Sequence, residues 1–289
     1  MAFIHPEYLA STDWLAAHLH DPRVAVFDCT THLIPDPATT YQVVPGRADF
    51  ERAHIPGAQF IDVQADVSDN ARRLRFMRPT PEAFAAAMRR FGVTGETRVI
   101  LYSAGNFWWA SRVWWLLRVF GHDNAAVLDG GLQKWRHEHR AVETGPATPR
   151  PQSDFAVREV RDLMADKQEV LAAIGNDSVC TLNALTPGQH AGTGGNSYGR
   201  PGRIAGSVNL PAAHLLDPAT GTLLSAETLA DRFAAVGALD KRVITYCGGG
   251  IAASADALAL VMLGHTDVRL YDASLSEWAV DPALPMETG

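Results

Sequence analysis

The fold is decided by a stretch that reads RVILYSAGNFWWASRVWWLLRVFGHDNAAVLDGGLQKW (residues 98–135), because its pattern returns as RVITYCGGGIAASADALALVMLGHTDVRLYDASLSEW (residues 242–278). Each copy reads as a strand, a loop, a helix, a Gly-His turn, a second strand and a turn that ends in Trp. The second copy has a shorter loop after its first strand. The sequence therefore predicts two units with the same supersecondary structure, as a tandem duplication produces.

The strand-like segments indicate the fold class. Residues 24–27, 98–102 and 125–128 are almost continuously apolar rather than alternating, which is typical of parallel strands buried on both faces. Helical patterns at 108–120 and 252–263 alternate with strands, as crossovers between parallel strands require. We therefore predict an α/β protein with tandem domains, each a mainly parallel sheet flanked by helices on both faces.

Further signals predict helix starts and a boundary between the halves. Thr80, followed by Pro81, and Ser225 are capping residues in front of amphipathic helical patterns. Residues 142–153 read VETGPATPRPQS, with three prolines and no apolar period, as an exposed linker does. We predict domains at 1–141 and 154–289, joined by the linker 142–153.

Composition excludes several classes of partner. The chain has 289 residues, 47% of them hydrophobic, and a formal net charge of −7. Nucleic acids and anionic membranes demand a basic face, and the sequence has no Lys/Arg run to form one. The N-terminus lacks a basic, then apolar, signal pattern, and no segment approaches 18 uninterrupted apolar residues. The expectation is a cytoplasmic protein.

Cys247 is the main candidate for chemistry. It follows a β-branched strand pattern and precedes three glycines and a helical pattern. The N–H groups of such a loop and the partial positive charge of the helix N-terminus favour a thiolate over a thiol. The first copy has Ser103 at the corresponding position, followed within the loop by bulky residues. The second half is therefore predicted to be catalytic and the first to be a scaffold.

The other cysteines and the histidines do not form a recognisable site. Cys29 and Cys180 lie in apolar strand-like runs, so we interpret both as structural. Three widely spaced cysteines give neither a disulfide framework nor a metal-ligand pair, and the eleven histidines lack metal-binding spacing. We predict no metal and no organic cofactor.

Four motifs together resemble the two-domain rhodanese family of sulfurtransferases over nearly the whole chain. They are HIPGA (54–58), LDGGLQKW (128–135), TYCGGGIAAS (245–254) and YDASLSEW (271–278). The resemblance implies an inactive first domain and a second domain whose loop cysteine accepts a sulfane sulfur. Cys247 would form the persulfide, cradled by a loop of five residues: Gly248, Gly249, Gly250, Ile251 and Ala252.

The implied reaction has two steps. The Cys247 thiolate takes sulfur from a small anionic donor, thiosulfate or 3-mercaptopyruvate, and passes it to cyanide or a thiol. A covalent intermediate of this kind predicts ping-pong kinetics. The uncharged loop is nearer to the mercaptopyruvate type of the family, but Gly249 replaces the serine of that type, so the donor stays open.

Departures from the family pattern leave the donor without an obvious cationic contact. Many members have an Asp and an Arg where this chain has Asn183 and Leu185. Arg200 and Arg203, in the Gly-rich stretch 192–203, are candidates to bind the anion, and the alternative is that they are surface residues. Arg47 and His54, from the first half, are further candidates, with His54 favoured as a structural hydrogen-bonding residue.

Two rival functions follow from the same residues. A phosphatase or arsenate reductase also uses a loop cysteine, but it needs an Arg to close the loop, and Ala253 stands there. A non-catalytic sulfur-binding or regulatory module would explain the missing Asp and Arg. Asp272 matches Asp129 of the first copy, and this duplication favours a turn-forming role for it.

Overall fold

The computed structural model describes residues 1–36, 38, 40–195 and 197–289. Two five-stranded parallel sheets lie in the two halves of the chain, and the strands of each sheet follow the same spatial order. The first half contains strands β1 (Leu9–Ala10), β2 (Val24–Asp28), β3 (Thr31–Asp36), β4 (Thr40–Pro45), β5 (Gln59–Phe60), β6 (Arg98–Tyr102) and β7 (Ala125–Leu128). Its helices are α1 (Thr12–His18), α2 (Arg47–Arg52), α3 (Val63–Val67), α4 (Pro81–Arg90), α5 (Trp108–Val119) and α6 (Gly131–His137).

The second half repeats this arrangement. Its strands are β8 (Met164–Ala165), β9 (Val179–Asn183), β10 (Arg203–Ile204), β11 (Val208–Asn209), β12 (Arg242–Tyr246), β13 (Val268–Tyr271) and β14 (Met286–Glu287). Its helices are α7 (Lys167–Ala173), α8 (Pro187–Ala191), α9 (Ala226–Ala235), α10 (Ala253–Met262) and α11 (Ser274–Trp278). The sheet orders β1-β7-β6-β2-β5 and β8-β13-β12-β9-β11 are equivalent, which confirms the predicted repeat.

The central strands are buried on both faces, as their apolar sequences require. In β6, Val99 and Leu101 point into one apolar cluster, whereas Ile100 and Tyr102 point into another on the opposite face. The predicted helix caps are also present, because the Thr80 and Ser225 hydroxyls accept backbone N–H groups of the first turns of α4 and α9. No described helix is both long enough and apolar enough to cross a membrane.

Helices α5 and α10 pack against each other where the halves meet. Ser111 and Ser254 occupy equivalent positions, counted back from Gly121 and Gly264, and their hydroxyl oxygens are 2.9 Å apart. A contact between equivalent residues is expected on a pseudo-twofold axis. The loops after β6 and β12 therefore occupy positions that this pseudo-twofold axis relates.

The predicted boundary lies in a segment that packs on the first half. Residues 138–163, all described, contain no helix or extended strand. The Ser153 hydroxyl donates to the Val93 carbonyl, and Phe155 is buried against Phe84. The division into 1–141, 142–153 and 154–289 stays a prediction.

Asp28, at the end of β2, gives a pH-dependent prediction. Burial raises its pKa to about 6 from an ordinary 3.8, although hydrogen bonds from Thr30 oppose this shift. Because the folded-state pKa is the higher one, stability from protonated Asp28 is fully present below pH 3.8 and is lost as the pH rises through about 6. The free energy of unfolding falls by about 3 kcal/mol as a result.

Asp28→Asn should remove this dependence, since an amide oxygen still accepts the Thr30 N–H and hydroxyl hydrogen bonds. Urea unfolding at acid and neutral pH would measure the free energy of unfolding of both proteins. We expect the variant to gain stability relative to the wild type as the pH rises. If the free energies of unfolding of the variant and the wild type differed by the same amount at both pH values, the assignment of the pH dependence to Asp28 would be contradicted.

Candidate active site

Cys247 lies at the carboxyl end of a central strand of the second sheet. It follows β12 directly, and α10 begins at Ala253. Small-molecule sites in parallel sheets lie at this edge, where loops between strands and helices converge. The Cys247 residue is only 3% exposed, so its surroundings decide what reaches the sulfur.

Ser274, at the start of α11, holds the Cys247 loop in shape. Its hydroxyl oxygen accepts the N–H of Cys247 at 3.0 Å and that of Gly250 at 3.2 Å, and it donates to the Tyr271 carbonyl at 2.7 Å. Ser274 has a φ of 50°, a conformation that favours glycine, and the equivalent residue of the first copy is Gly131 with a φ of 52°. Ser274 is not among the predicted site residues, although the Gly-to-Ser difference between the copies is a signal for it.

The loop offers fewer N–H groups than predicted. The N–H of Gly250 is used by Ser274, so its expected part in the cradle is corrected. Gly250 is needed for shape instead, since its φ is 72° and an added Cβ would lie 2.8 Å from the Asp272 carbonyl oxygen. Within the described chain, no protein acceptor is recorded for the N–H groups of the other four predicted cradle residues: Gly248, Gly249, Ile251 and Ala252.

A cavity of about 510 Å³ opens beside Cys247, and both halves of the chain line it. The first half contributes the β3–β4 hairpin through Leu33 and Val43, and it contributes Trp108 at the start of α5. The second half contributes Leu185, from the loop after β9. The walls around the cysteine are therefore largely apolar.

Arg200 and Arg203 do not line this cavity, and the expectation that they bind the donor is corrected. The Arg200 guanidinium donates to the carbonyl oxygens of Trp278, Asp281 and Leu284. Arg203 pairs with Glu287 at 3.4 Å and donates to the Gly289 carbonyl at 2.5 Å. Both arginines fasten the Gly-rich stretch to the C-terminal segment; Asn196 of that stretch lies outside the described residues.

Arg47 and His54 also lie away from the described cavity wall. The Arg47 guanidinium stacks 4.8 Å from the Phe60 ring centre. His54 is buried, its ring stacks on Phe50 at 3.8 Å, and its Nδ1 hydrogen-bonds to the Phe50 carbonyl at 2.7 Å. These contacts agree with the structural role favoured for His54. They do not agree with a contact between the donor and Arg47 or His54.

The cations at the cavity are instead Arg73 and Arg75, from the segment 72–78 of the first half. Arg75 donates to the Tyr41 carbonyl at 2.7 Å, and the described residues give neither arginine a carboxylate partner. Sequence reasoning missed this segment because it has no regular structure. Its Phe76 has a φ of 62°, which is uncommon for a bulky residue and is stabilised by contacts from elsewhere in the fold.

A buried ion pair joins this segment to the Cys247 loop. Arg112 of α5 is fully buried, pairs with Asp272 at 2.7 Å and donates to the Phe76 carbonyl. Asp272 also accepts the Arg78 N–H at 2.6 Å and packs against Gly250. Asp129 likewise accepts an N–H from the other half, from Leu223 at 2.8 Å. The duplicated aspartates therefore connect the halves, a role beyond the predicted turn.

The corresponding loop of the first half carries a serine in place of the cysteine and borders a separate cavity of about 280 Å³ at Ala104 and Gly105. The Ser103 hydroxyl donates to the Asn106 carbonyl at 2.6 Å, and nothing in this contact activates it as a nucleophile. The described residues contain no cluster of three or more His, Cys, Asp or Glu side chains arranged to bind a metal ion.

The fold and the site define a class, the tandem α/β sulfurtransferases with one cysteine-bearing loop at the edge of the second sheet. The family model described as "Rhodanese-like domain" matches residues 11–138 and 190–281. The chain is 33% identical to the 3-mercaptopyruvate sulfurtransferase of Escherichia coli (strain K12), over 97% of this chain and 98% of that protein. It belongs to the rhodanese family of sulfurtransferases.

Other comparisons agree. The chain is 32% identical to the thiosulfate sulfurtransferase of Bos taurus, over 93% of this chain and 91% of that protein. The crystal structure of SseA from Escherichia coli, titled a 3-mercaptopyruvate sulfotransferase, has a TM-score of 0.82 and 31% identity, covering 93% of this chain and 99% of that one. The protein is accordingly a sulfurtransferase that takes sulfur from a donor and passes it to an acceptor, and the non-catalytic alternative gains no support.

Proposed function

We propose that Cys247 carries the transferred sulfur as a persulfide. The observation that carries this proposal is that Cys247 lines the cavity between the halves, whereas Cys29 is fully buried and Cys180 borders a smaller, separate cavity of about 210 Å³. Burial raises the pKa of Cys29 well above its ordinary value and that of Cys180 to about 11, so both stay protonated at neutral pH. Four loop N–H groups beside Cys247 have no acceptor among the described residues, so they can stabilise negative charge on the sulfur.

The proposed chemistry proceeds by two displacements. The Cys247 thiolate attacks the donor's outer sulfur; the bond from that sulfur to carbon, or to the second sulfur of thiosulfate, breaks. The electron pair leaves with the pyruvate enolate, which then takes a proton, or with sulfite. Cyanide or a thiolate attacks the outer sulfur of the persulfide, and the electron pair of the S–S bond returns to Cys247.

The positions of the charges favour 3-mercaptopyruvate as the better donor. Thiosulfate carries both its negative charges on the transferred sulfur and on the sulfonate group bonded to it, and the loop after Cys247 has no cation to offset them. In 3-mercaptopyruvate the carboxylate is separated from the sulfur by two carbons. The carboxylate would then bind Arg73 and Arg75, which the other half of the chain supplies.

We further propose roles for the two domains, the class of partner and the location of the protein. The first domain acts as a scaffold that completes the cavity, and the boundaries predicted above separate it from the catalytic domain. The net charge of −7 disfavours nucleic acid as a partner, and Arg73 and Arg75 supply the local basic site for a small anionic donor. Three free cysteines support a reducing, cytoplasmic location.

Initial-rate kinetics with varied donor and cyanide test the covalent route. We expect parallel lines in double-reciprocal plots, because the donor product leaves before cyanide reacts. Intersecting lines would require both substrates to be bound together and would contradict a persulfide route. The same measurements should give a higher kcat/KM for 3-mercaptopyruvate than for thiosulfate.

Arg73→Met and Arg75→Met test the anion site. Each change removes a cation from the cavity wall, so we expect the KM for 3-mercaptopyruvate to rise about tenfold, with little change in kcat. Arg72→Met is the matched control: Arg72 is in the same segment but contacts Asp69, and it lines a different cavity. An unchanged KM in the double variant at positions 73 and 75 would refute this part of the proposal.

A further inference from the structure

The Gly-rich stretch before β10 places one side chain over the Cys247 loop. The contacts of Arg200 fix its position, and the Arg200 N–H also donates to the Ala279 carbonyl at 3.1 Å. Gly199, with a φ of 144°, lies against the same carbonyl, 2.8 Å from where its Cβ would be. On the other side, the Thr40 hydroxyl of the β3–β4 hairpin donates to the Ser197 carbonyl at 2.9 Å. Tyr198 is therefore held between two anchored neighbours.

Tyr198 approaches the loop with the hydroxyl end of its ring. A Cβ on Gly248 would lie 1.9 Å from the Tyr198 Cζ and 2.2 Å from its hydroxyl oxygen. Gly248 follows Cys247 directly, and both line the same cavity as Tyr198. The absence of a side chain at position 248 is what admits the phenol, which gives this glycine a second role besides the predicted cradle.

The Tyr198 hydroxyl keeps its proton and can therefore donate a hydrogen bond to a reacting group. Burial is the main cause that raises its pKa far above the ordinary value, and the negative charge of Cys247 is the next. A phenol that keeps its proton at neutral pH cannot serve as a base. Tyr41 of the hairpin, whose ring centre is 6.1 Å away, shares a side-chain hydrogen bond with Tyr198 that also raises the pKa.

Another hydroxyl at this part of the cavity is already used. The Ser276 hydroxyl donates to the Gly248 carbonyl at 2.7 Å, so its proton stabilises the loop. The loop itself carries no charged side chain, as the run Gly248 to Ala252 makes clear. A neutral donor that reaches over the loop would add to the loop N–H groups in stabilising charge that develops on the leaving group close to Cys247.

The geometry points to Tyr198 as a catalytic residue whose hydroxyl donates a hydrogen bond to the leaving-group oxygen that gains negative charge as sulfur moves to Cys247. This inference rests on the proposed function of Cys247. With 3-mercaptopyruvate that oxygen belongs to the enolate of pyruvate, and with thiosulfate it belongs to sulfite. Discharge of the persulfide to cyanide creates no such oxygen, so Tyr198 acts in the donor half of the reaction.

Tyr198→Phe tests this role because the ring stays on Gly248 and only the hydroxyl is lost. We expect the single-turnover rate of persulfide formation from 3-mercaptopyruvate to fall about 100-fold, as for loss of one oxyanion donor. The rate at which cyanide discharges the preformed persulfide should change by less than about threefold. Thermal unfolding of the variant checks that its fold is intact.

Tyr8→Phe is the matched control. The Tyr8 hydroxyl accepts from Arg118 at 3.1 Å and does not line the cavity, so both half-reactions should stay at wild-type rates. The inference is overturned if Tyr198→Phe forms persulfide at the wild-type rate, or if it slows both half-reactions equally, as a structural role would. Failure of the proposed function is distinguishable, because the wild type itself would then gain no sulfur.

Discussion

Cys247→Ser should lower sulfur transfer from either donor by about 10⁴-fold or more, to the level of the uncatalysed reaction. A serine hydroxyl is not ionised at neutral pH, and an oxygen nucleophile cannot form the S–S bond of a persulfide. The side chains are similar in size, so the hydrogen bond from the backbone N–H at position 247 to Ser274 should persist. Thiocyanate or pyruvate formation over time measures the loss.

Cys180→Ser is the matched control for this prediction. Cys180 is also buried, and it borders a cavity other than the one that Cys247 lines. We expect the control to keep its activity within about twofold. Turnover retained in Cys247→Ser would show that another residue accepts the sulfur.

Arg112→Leu should lower the free energy of unfolding by about 3–5 kcal/mol. The loss follows because Asp272 would stay buried without its cation. Removing one partner of a buried pair costs more than the pair itself contributes, since the remaining charge has no compensation. The Phe76 carbonyl would also lose its hydrogen-bond donor, so the segment 72–78, which carries Arg75, should become less ordered. Urea unfolding at neutral pH measures the change.

Arg118→Leu, on the same helix, is the control. Arg118 is partly exposed and pairs with Asp123 at 3.2 Å, so its loss should cost less than about 2 kcal/mol, its ring contacts included. In Arg112→Leu combined with Asp272→Asn, the buried charge is gone and part of the lost stability should return. Equal losses in Arg112→Leu and Arg118→Leu would mean that the Arg112–Asp272 pair does not hold the halves together.

Most of the fold was predictable because local pattern and global arrangement agree. Apolar runs such as β6 specify strands buried on both faces, and Thr80 and Ser225 mark helix starts by their own chemistry. The repeat also predicts that the two halves share one strand order, since equivalent sequence patterns form equivalent sheets. The location of the Cys247 loop follows from the same argument, because it comes directly after a central strand.

The rest of the site was not predictable from local pattern. Arg75 and Tyr198 come from irregular segments that no periodicity locates, and long-range contacts through Arg112 and Arg200 place them. The charge of Arg200 predicted that it binds the donor, but its guanidinium already donates hydrogen bonds to neighbouring carbonyl oxygens. Charge alone therefore does not identify an anion site, because the sequence does not say which cations are already bound.

Asp272 illustrates a related difficulty. Its occurrence in both copies predicted a turn, and duplication does show that the role is shared. The shared role is an interdomain hydrogen bond, from Arg78 to Asp272 and from Leu223 to Asp129. Asp272 also pairs with the buried Arg112 of the first half and packs against Gly250, so this aspartate supports the Cys247 loop as well.

Peptide mass spectrometry after incubation with 3-mercaptopyruvate or thiosulfate tests the central claim, the Cys247 persulfide, most directly. We predict one extra sulfur on the peptide that contains Cys247, none on the peptides of Cys29 and Cys180, and its loss when cyanide is added. An extra sulfur confined to another cysteine, or none at all in a protein that still turns over the donor, would contradict the account.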